Sequence, residues 1–302
     1  MKYIIGTRGS KLALVQTELV IKNLKSAYPQ DEFIAKVIKT TGDMDQKRRL
    51  DEIGSKGIFV KEIEDELLDG TISMAVHSMK DMPDEPAEGL IFAKAWKRED
   101  PRDVLILKKA ESLDELPDRA VIGTGSKRRA YQISAMRPDL KIVSIRGNVD
   151  TRIRKLKEGQ LCEGEILDGI VIAAAGIKSI GRADEITQYL SCDEMIPAPA
   201  QGTLAIELKA DNLDLLEKLN ALSDEAAQES VDAERGFLKQ IGGNCHLPVA
   251  AYCDKTDKGT FRLRAMFGTE DGSRLAFTDI TDDDTEKIVE RAVEEIRRQL
   301  KK

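Results

Sequence analysis

Short apolar runs alternate with amphipathic helical segments over the first two hundred residues of the chain. This alternation predicts repeated strand–loop–helix units, which form parallel sheets with helices on both faces. In such sheets, ligands bind outside the carboxyl ends of the strands, so the loops there are where functional side chains are expected. The first predicted helix carries Leu12, Val15 and Leu19 on one face. The predicted strands are residues 2–6, 33–39 and 72–77 in a first series and 104–107, 120–123, 141–145 and 169–174 in a second.

The pattern changes beyond residue 212. A long helix is predicted over residues 224–240, and a terminal helix has apolar residues at positions 289, 293, 296 and 300. The runs between these helices predict an antiparallel sheet, and therefore a small α+β domain. Just before this region, Pro197 and Pro199 indicate a crossover, and the run at residues 203–208 is expected to return to the first sheet. The three strands predicted for the small domain are residues 247–253, 261–267 and 274–281.

Composition excludes several classes of function. The formal net charge of -7 would repel phosphate backbones, so nucleic acid is not an expected partner. No apolar stretch reaches membrane-spanning length, and the N-terminus lacks the apolar run of a signal peptide, so we expect no membrane partner and a cytoplasmic location. The 4 cysteines contain no C-x-x-C pair and only 2 histidines are present, which argues against a metal site or a disulfide framework.

Basic residues cluster where predicted strands end and helices begin. Backbone N–H groups are unpaired there and the helix dipole is positive, so anions are favoured, and arginine adds bidentate recognition of carboxylates. Any one of these arginines could be a solvated cap or a surface ion pair, but three such loops together favour an anion-binding cleft. The loops alone do not distinguish carboxylate from phosphate. Their candidate residues are Arg8, Ser10, Thr124, Ser126, Arg128, Arg129, Arg146 and Arg152.

A carboxylate follows the third predicted strand. Ser78, Lys80 and Asp81 come directly after the run at residues 72–77, where Asp81 could stabilise a developing cation or transfer a proton. The alternative is an ordinary surface ion pair between Asp81 and Lys80, ahead of the turn-forming Pro83.

One cysteine stands out by its context. Cys245 lies in the sequence GGNCH, and two glycines allow a tight loop that favours an exposed, reactive thiol beside His246. The alternative is a buried and inert cysteine. No third residue of a Cys–His catalytic set is visible, so a cysteine hydrolase is a weak interpretation.

The sequence resembles the porphobilinogen deaminase (hydroxymethylbilane synthase) family over nearly its whole length. The most specific of the shared stretches are AVHSMKD and RGNVDTR. The resemblance implies a transferase of tetrapyrrole (porphyrin and heme) biosynthesis. Such an enzyme condenses four porphobilinogen molecules head to tail, releases ammonia each time, and hydrolyses off hydroxymethylbilane. The stretches that carry the resemblance are TRGSKLAL, KGIFVKEIE, AVHSMKDMP, REDPRD, IGTGSKRRAYQ, SIRGNVDTR, AAAGIK, PAQGTLAIE and GGNCHLPVAAY.

The resemblance also implies a dipyrromethane cofactor held by a thioether to Cys245, with Asp81 as the catalytic residue. A set of arginines would neutralise the acetate and propionate groups of the growing chain, which explains basic loops in an acidic protein. Loss of ammonia leaves a cationic azafulvene that the Asp81 carboxylate would stabilise. The residues implied to bind the cofactor are Lys80, Ser78, Thr124, Ser126, Arg128, Arg129 and Arg146, and those implied to bind substrate are Arg8, Ser10 and Arg152.

Two positions depart from the family pattern. The family often has a lysine where this chain has Glu52, within the long polar connection that we expect to be a mobile lid. It commonly has an arginine where this chain has Ser179, and Lys178 or Arg182 could compensate for that loss.

These observations predict three domains. Two are doubly wound α/β domains of the type seen in two-lobed periplasmic binding proteins, and the third is a small α+β domain that carries Cys245. We expect residues 1–97 with 196–211, residues 98–195, and residues 212–302 to form them, in a monomer with porphobilinogen as its small-molecule substrate. The alternative is a two-lobed binding or sensory module that captures a small anion without chemistry, but it gives no role to Cys245.

Overall fold

The computed structural model describes residues 1–40, 60–243 and 247–301 of the 302-residue chain. The chain divides into two compact units: Met1–Arg98 with Thr203–Gln228, and Glu99–Gly202 with Glu229–Lys302. The strands are β1 Lys2–Arg8, β2 Glu32–Ile38, β3 Met74–Ser78, β4 Leu90–Phe92, β5 Asp103–Leu107, β6 Val121–Gly123, β7 Lys141–Val143, β8 Leu161–Cys162, β9 Glu165–Ile166, β10 Gly169–Ala173, β11 Gln188–Leu190, β12 Leu204–Lys209, β13 Val249–Lys255, β14 Phe261–Gly268 and β15 Leu275–Asp282. The helices are α1 Lys11–Ala27, α2 Lys61–Leu68, α3 Lys127–Met136, α4 Val149–Glu158, α5 Ala174–Ser179, α6 Leu213–Asn220, α7 Glu225–Ile241 and α8 Thr285–Leu300.

The first unit is built on a five-stranded sheet, sheet 1, with the order β2-β1-β3-β12-β4. Strand β1 is parallel to β2 and β3, whereas β12 is antiparallel to both β3 and β4. The run predicted at residues 203–208 is therefore a strand of this sheet. One face packs Met74, Val76 and Ile206 into an apolar core, and the other packs Ala75 against Ile63 of α2.

The second unit contains sheet 2, with the order β11-β5-β10-β6-β7. Strand β6 is parallel to β7 and β10, while β5 is antiparallel to β10 and β11. Counted from β7, sheet 2 has the same sequence of strand directions as sheet 1 counted from β2. In each sheet three parallel strands are followed by a strand antiparallel to the third, and then by one antiparallel to the fourth. The prediction of parallel strands was therefore wrong for β5, because an apolar run encodes burial and not strand direction. For β12 the sequence predicted membership of sheet 1 but no direction.

The same unit contains sheet 3, formed by the antiparallel strands β13, β14 and β15. Helix α8 begins after Asp284, whose carboxylate accepts hydrogen bonds from the backbone N–H groups of Glu286 and Lys287. Phe237 of α7 and Ile288 and Ile296 of α8 are fully buried in the core beside sheet 3. The predicted α+β domain with an antiparallel sheet is confirmed.

The apolar face predicted for the first helix is not the one that packs. Helix α1 buries Thr17, Val20 and Leu24, whereas Leu19 is 41% exposed. A helix of this sequence has apolar residues on more than one face, so periodicity alone does not select the packed one. Within the described residues, no helix is long and apolar enough to cross a membrane.

Candidate functional site

Asp81 lies on a short 3-10 turn, Met79–Asp81, directly after β3. The turn is anchored at both ends, because the Met79 N–H donates to the Thr203 carbonyl at 2.9 Å and the Met82 N–H donates to the Met79 carbonyl at 3.1 Å. Met79 and Met82 are buried, whereas Asp81 is exposed. The buried neighbours therefore fix the turn and leave the carboxylate open to a ligand.

Ser78 links this turn to the first helix. Its hydroxyl is hydrogen-bonded to the side-chain amide of Gln16 on α1, with the amide nitrogen at 3.1 Å. At the N-terminus of α1, Ser10 is the N-cap, and its hydroxyl accepts from the Ala13 N–H at 3.2 Å. Arg8 ends β1, which is parallel to β3, so Arg8 and Ser78 end neighbouring strands at the same edge of sheet 1.

The second predicted loop follows β6 in sheet 2. The buried Thr124 donates its N–H to the Val143 carbonyl at 3.0 Å, and its hydroxyl accepts from the Ser126 N–H at 3.2 Å. Ser126 is the N-cap of α3 and accepts from the Arg129 N–H at 3.5 Å. Both hydroxyls therefore organise the loop itself, at the N-terminus of a helix.

Arg128 and Arg129 are both buried and both paired with Asp103. Arg128 Nη1 lies 2.7 Å from Asp103 Oδ2, and Arg129 Nη2 lies 2.8 Å from Asp103 Oδ1. Burial alone would raise the pKa of Asp103, but the charges and hydrogen bonds of the two arginines outweigh it, and the pKa lies well below its usual range. The sequence did not predict a role for Asp103, although it lies in the stretch REDPRD that the resemblance identified.

The two arginines differ in the donors that remain. Every nitrogen of the Arg129 guanidinium donates to protein, because Nη1 reaches the Val171 carbonyl at 3.4 Å and Nη2 also reaches Gln201 Oε1 at 3.4 Å. In the described part of the chain, Arg128 uses only Nη1, which donates to Asp103 and to the Ile196 carbonyl. All three nitrogens of the Arg129 guanidinium are therefore engaged by protein, whereas among the described residues Nε and Nη2 of Arg128 are not.

The third predicted loop follows β7 and carries Arg146, and Arg152 lies in the first turn of α4; both are half-buried. Arg152 Nε donates to the Gly147 carbonyl at 2.7 Å, and the Arg146 carbonyl accepts from Lys155 at 3.2 Å. A Cβ added to Gly125 would lie 3.9 Å from Arg152 Nη2. The structure thus brings Arg152 against the loop that holds Thr124 and Ser126.

Lys178 and Arg182, the two cations that could compensate for the serine at position 179, already form ion pairs. Ser179 is bonded to the Ala175 carbonyl within its own helix. Lys178 lies 2.6 Å from Asp100, and Arg182 pairs with Asp150 at 3.2 Å and with Glu185. Neither cation therefore replaces an arginine at position 179 without giving up an ion pair.

Three of the predicted residues, Glu52, Cys245 and His246, lie outside the described residues, as does most of the expected lid. Gly242, at the start of the glycine loop, has a φ of +76°, a left-handed conformation that glycine adopts without strain. Of the other cysteines, Cys162 and Cys253 are buried and Cys192 is half-buried.

Two family models match the chain. The model for the porphobilinogen deaminase dipyromethane cofactor binding domain matches residues 3–217, and that for the porphobilinogen deaminase C-terminal domain matches residues 228–298.

Curated relatives agree with these matches. The chain is 56% identical over 288 residues to a porphobilinogen deaminase of Lachnospira eligens, covering 95% of this chain and 96% of the relative. It is 51% identical over 284 residues to one of Clostridioides difficile, covering 94% and 92%. Among solved structures, an ABC transporter periplasmic substrate-binding protein from Coxiella burnetii aligns with a TM-score of 0.44 and 14% identity over 77% of this chain and 96% of that protein, which is too low to assign a ligand.

Proposed function

The chain belongs to the porphobilinogen deaminase family, and from that premise we propose that it is a hydroxymethylbilane synthase. The enzyme is a transferase of tetrapyrrole biosynthesis. It joins four porphobilinogen molecules head to tail, with loss of ammonia at each step, and hydrolysis then releases hydroxymethylbilane. The observation that carries the proposal is the exposed Asp81 carboxylate on an anchored turn, within a region that matches the family's cofactor-binding domain.

Asp81 is the proposed catalytic residue. Porphobilinogen carries an aminomethyl group, and a cation is left on the substrate when ammonia departs. A fixed carboxylate stabilises that cation and can take up the proton that the pyrrole loses after bond formation. Because Met79 and Met82 are buried on either side, the carboxylate is oriented before the substrate arrives.

The side-chain donors that follow strands β6 and β7 of sheet 2 fit a dipyrromethane cofactor, whose acetate and propionate groups need hydrogen-bond donors and positive charge. When bound, the cofactor supplies the primer to which substrate units are added. We propose that Arg128 and Arg146, with Thr124 and Ser126, hold its carboxylates, since arginine binds carboxylates in a bidentate manner. The resemblance also implies cofactor-binding roles for Ser78, at the end of β3, and for Lys80, on the catalytic turn, and Cys245 is the proposed point of covalent attachment.

We propose that Arg8, Ser10 and Arg152 bind the carboxylates of the incoming porphobilinogen. Ser10 supports this role because it caps α1, where the helix dipole favours an anion. Arg129 has a different proposed role from the one that the resemblance implied. Its hydrogen bonds to Asp103 and Gln201 hold the start of α3 in place, so it contributes to the cofactor site indirectly.

We further propose a cytoplasmic monomer with the three domains expected from the sequence. Residues 212–302 include the separate apolar core around Phe237 and Ile288, which supports their treatment as a domain. Size-exclusion chromatography with light scattering would test the monomer.

Intact mass tests the proposed function. Protein purified from a host that makes porphobilinogen should be heavier than its sequence by roughly the mass of two pyrrole units, and acid with Ehrlich's reagent should give a colour. It should also consume porphobilinogen and release ammonia. A fully folded protein with no adduct and no turnover would refute the proposal.

A further inference from the structure

His77 and Glu207 form a buried contact directly behind the catalytic turn. His77 Nε2 lies 3.3 Å from Glu207 Oε2, and the two side chains are 4% and 0% exposed. They come from neighbouring antiparallel strands, where His77 is opposite Ala205 and Glu207 is opposite Ala75. Because alternate residues of a strand share a face, both side chains project from the same face of sheet 1.

This contact is poorly satisfied by hydrogen bonds. Within the described residues, His77 Nε2 and both carboxylate oxygens of Glu207 are buried without a hydrogen-bond partner. Thr203 Oγ1 is in the same condition, and Thr203 immediately precedes β12. Buried polar atoms nearly always have partners, so a group of exceptions next to a catalytic turn calls for an explanation in function.

Other charged residues face the pair from neighbouring elements. Glu64 of α2 is close enough for the charges to interact: burial raises the pKa of Glu64, the charge of Glu207 raises it further, and His77 opposes the shift. Gly6 of β1 is opposite Ala75 of β3, so Arg8, two residues further on, shares the face of His77. The pair is therefore part of a charged row that ends at the proposed substrate-binding arginine.

We propose that His77 and Glu207 are positioning residues for Asp81. This inference rests on the proposed function. Strand β12 already holds the catalytic turn through its backbone, because Ser78 pairs with Leu204 and the Met79 N–H bonds to Thr203. The contact between His77 and Glu207 adds a side-chain link between the same two strands, immediately before Ser78. It thereby sets the direction in which Asp81 leaves the end of β3.

Three variants separate positioning from simple stability. Glu207→Gln replaces the buried carboxylate beside His77 by an amide, which weakens the contact, so it is expected to lower both the melting temperature and kcat. The double variant His77→Leu with Glu207→Met replaces the pair by apolar side chains, which often restores stability. Glu207→Asp keeps the charge but withdraws it from His77, and should fold even if the other variants do not.

In the double variant we expect a melting temperature near that of the wild type, a complete cofactor adduct by intact mass, and KM for porphobilinogen within about twofold. We expect kcat to be lower by roughly tenfold or more, because a small misplacement of a catalytic group slows the reaction step and leaves binding intact. Glu207→Asp should show the same split between kcat and KM, with a smaller loss. The matched control is Glu66→Gln on α2, which weakens the half-buried ion pair with Lys36 and should leave kcat unchanged.

Recovery of kcat together with stability in the double variant would show that the pair is only structural. Wild-type kcat in Glu207→Asp would also overturn the inference, as would a rise in KM without a change in kcat. Failure of the proposed function is a separate result, because the wild-type protein would then show neither adduct nor turnover.

Discussion

Asp103 accepts hydrogen bonds from both Arg128 and Arg129, at 2.7 and 2.8 Å, and none of the three side chains is more than 7% exposed. Two cations therefore share one anion, and the three side chains together have a net charge of +1 and not +2. The attraction of this loop for a polycarboxylate is smaller than the number of arginines in the sequence suggests. The same carboxylate holds the guanidinium groups in place before any ligand binds.

Removal of the Asp103 charge should destabilise the protein strongly. Asp103→Asn leaves two buried guanidinium groups without their anion, and the loss of one partner from a buried ion pair costs about 3–5 kcal/mol in the free energy of unfolding. Urea unfolding followed by circular dichroism measures this. Asp139→Asn, which breaks the more exposed pair with Arg137, is the control and should have a much smaller effect. Equal effects of the two variants would contradict the finding.

Low pH should weaken the ion pairs of Asp103 with Arg128 and Arg129, because it protonates the carboxylate. The pKa of Asp103 is lower in the folded protein than in the unfolded chain, where it is about 3.9, so the unfolded state binds the proton more readily below that pH. The stabilisation is fully present above the unfolded-state pKa and is lost as the pH falls towards the folded-state pKa. The wild type should therefore lose more stability between about pH 5 and pH 3 than Asp103→Asn loses. If the free energies of unfolding of the wild type and of Asp103→Asn fell in parallel with pH, the ion pairs of Asp103 would not be the cause of the acid sensitivity.

Asp81→Asn should lower kcat by roughly 10²–10⁴-fold, the range expected for a positioned acid–base group. Asp81 is exposed at the end of an anchored turn, so the substitution should leave the fold and the cofactor adduct intact. Turnover of porphobilinogen and intact mass measure the two effects. Asp84→Asn, a nearby exposed carboxylate outside the turn, is the control. Wild-type rates in Asp81→Asn would remove Asp81 from the mechanism.

Cys245→Ser should abolish the normal thioether adduct, because a hydroxyl is a far weaker nucleophile than a thiolate. Intact mass and Ehrlich's reagent report the adduct, and peptide mapping locates it. Cys162 and Cys253 are buried, so substitution of Cys162 by serine serves as the control and should retain the adduct. An equally stable adduct on Cys162, Cys192 or Cys253 in the Cys245→Ser variant would show that the assignment is wrong.

Substitution by lysine should have different effects at Arg128 and at Arg129. Arg129→Lys loses hydrogen bonds to Asp103, Val171 and Gln201 and should lower the free energy of unfolding by about 1–3 kcal/mol. Arg128→Lys should have its larger effect on formation of the adduct and on KM, since Arg128 retains donors for a ligand. Urea unfolding and steady-state kinetics of both variants give the comparison. A reversed order of effects would contradict the division of roles.

The sequence predicted the positions of the main strands and the ends at which Arg8, Ser78 and Ser126 lie, because these follow from local periodicity and capping residues. It did not predict the antiparallel direction of β5 and β12. It also missed Asp103 and Gln201, whose partners are distant along the chain: 98 residues separate Gln201 from Asp103. Pairings of that range depend on the tertiary fold, so no local pattern encodes them.

The shared arrangement of sheets 1 and 2 extends to the sequence of their first helices. Ser10 and Ser126 both follow glycine, both cap a helix that opens with lysine, and each is followed six positions later by a glutamine, Gln16 or Gln132. Each sheet therefore presents a serine-capped helix N-terminus directly after the corresponding strand, β1 in sheet 1 and β6 in sheet 2. The chain thus offers two separate positions at which a helix dipole favours an anion, one in each unit.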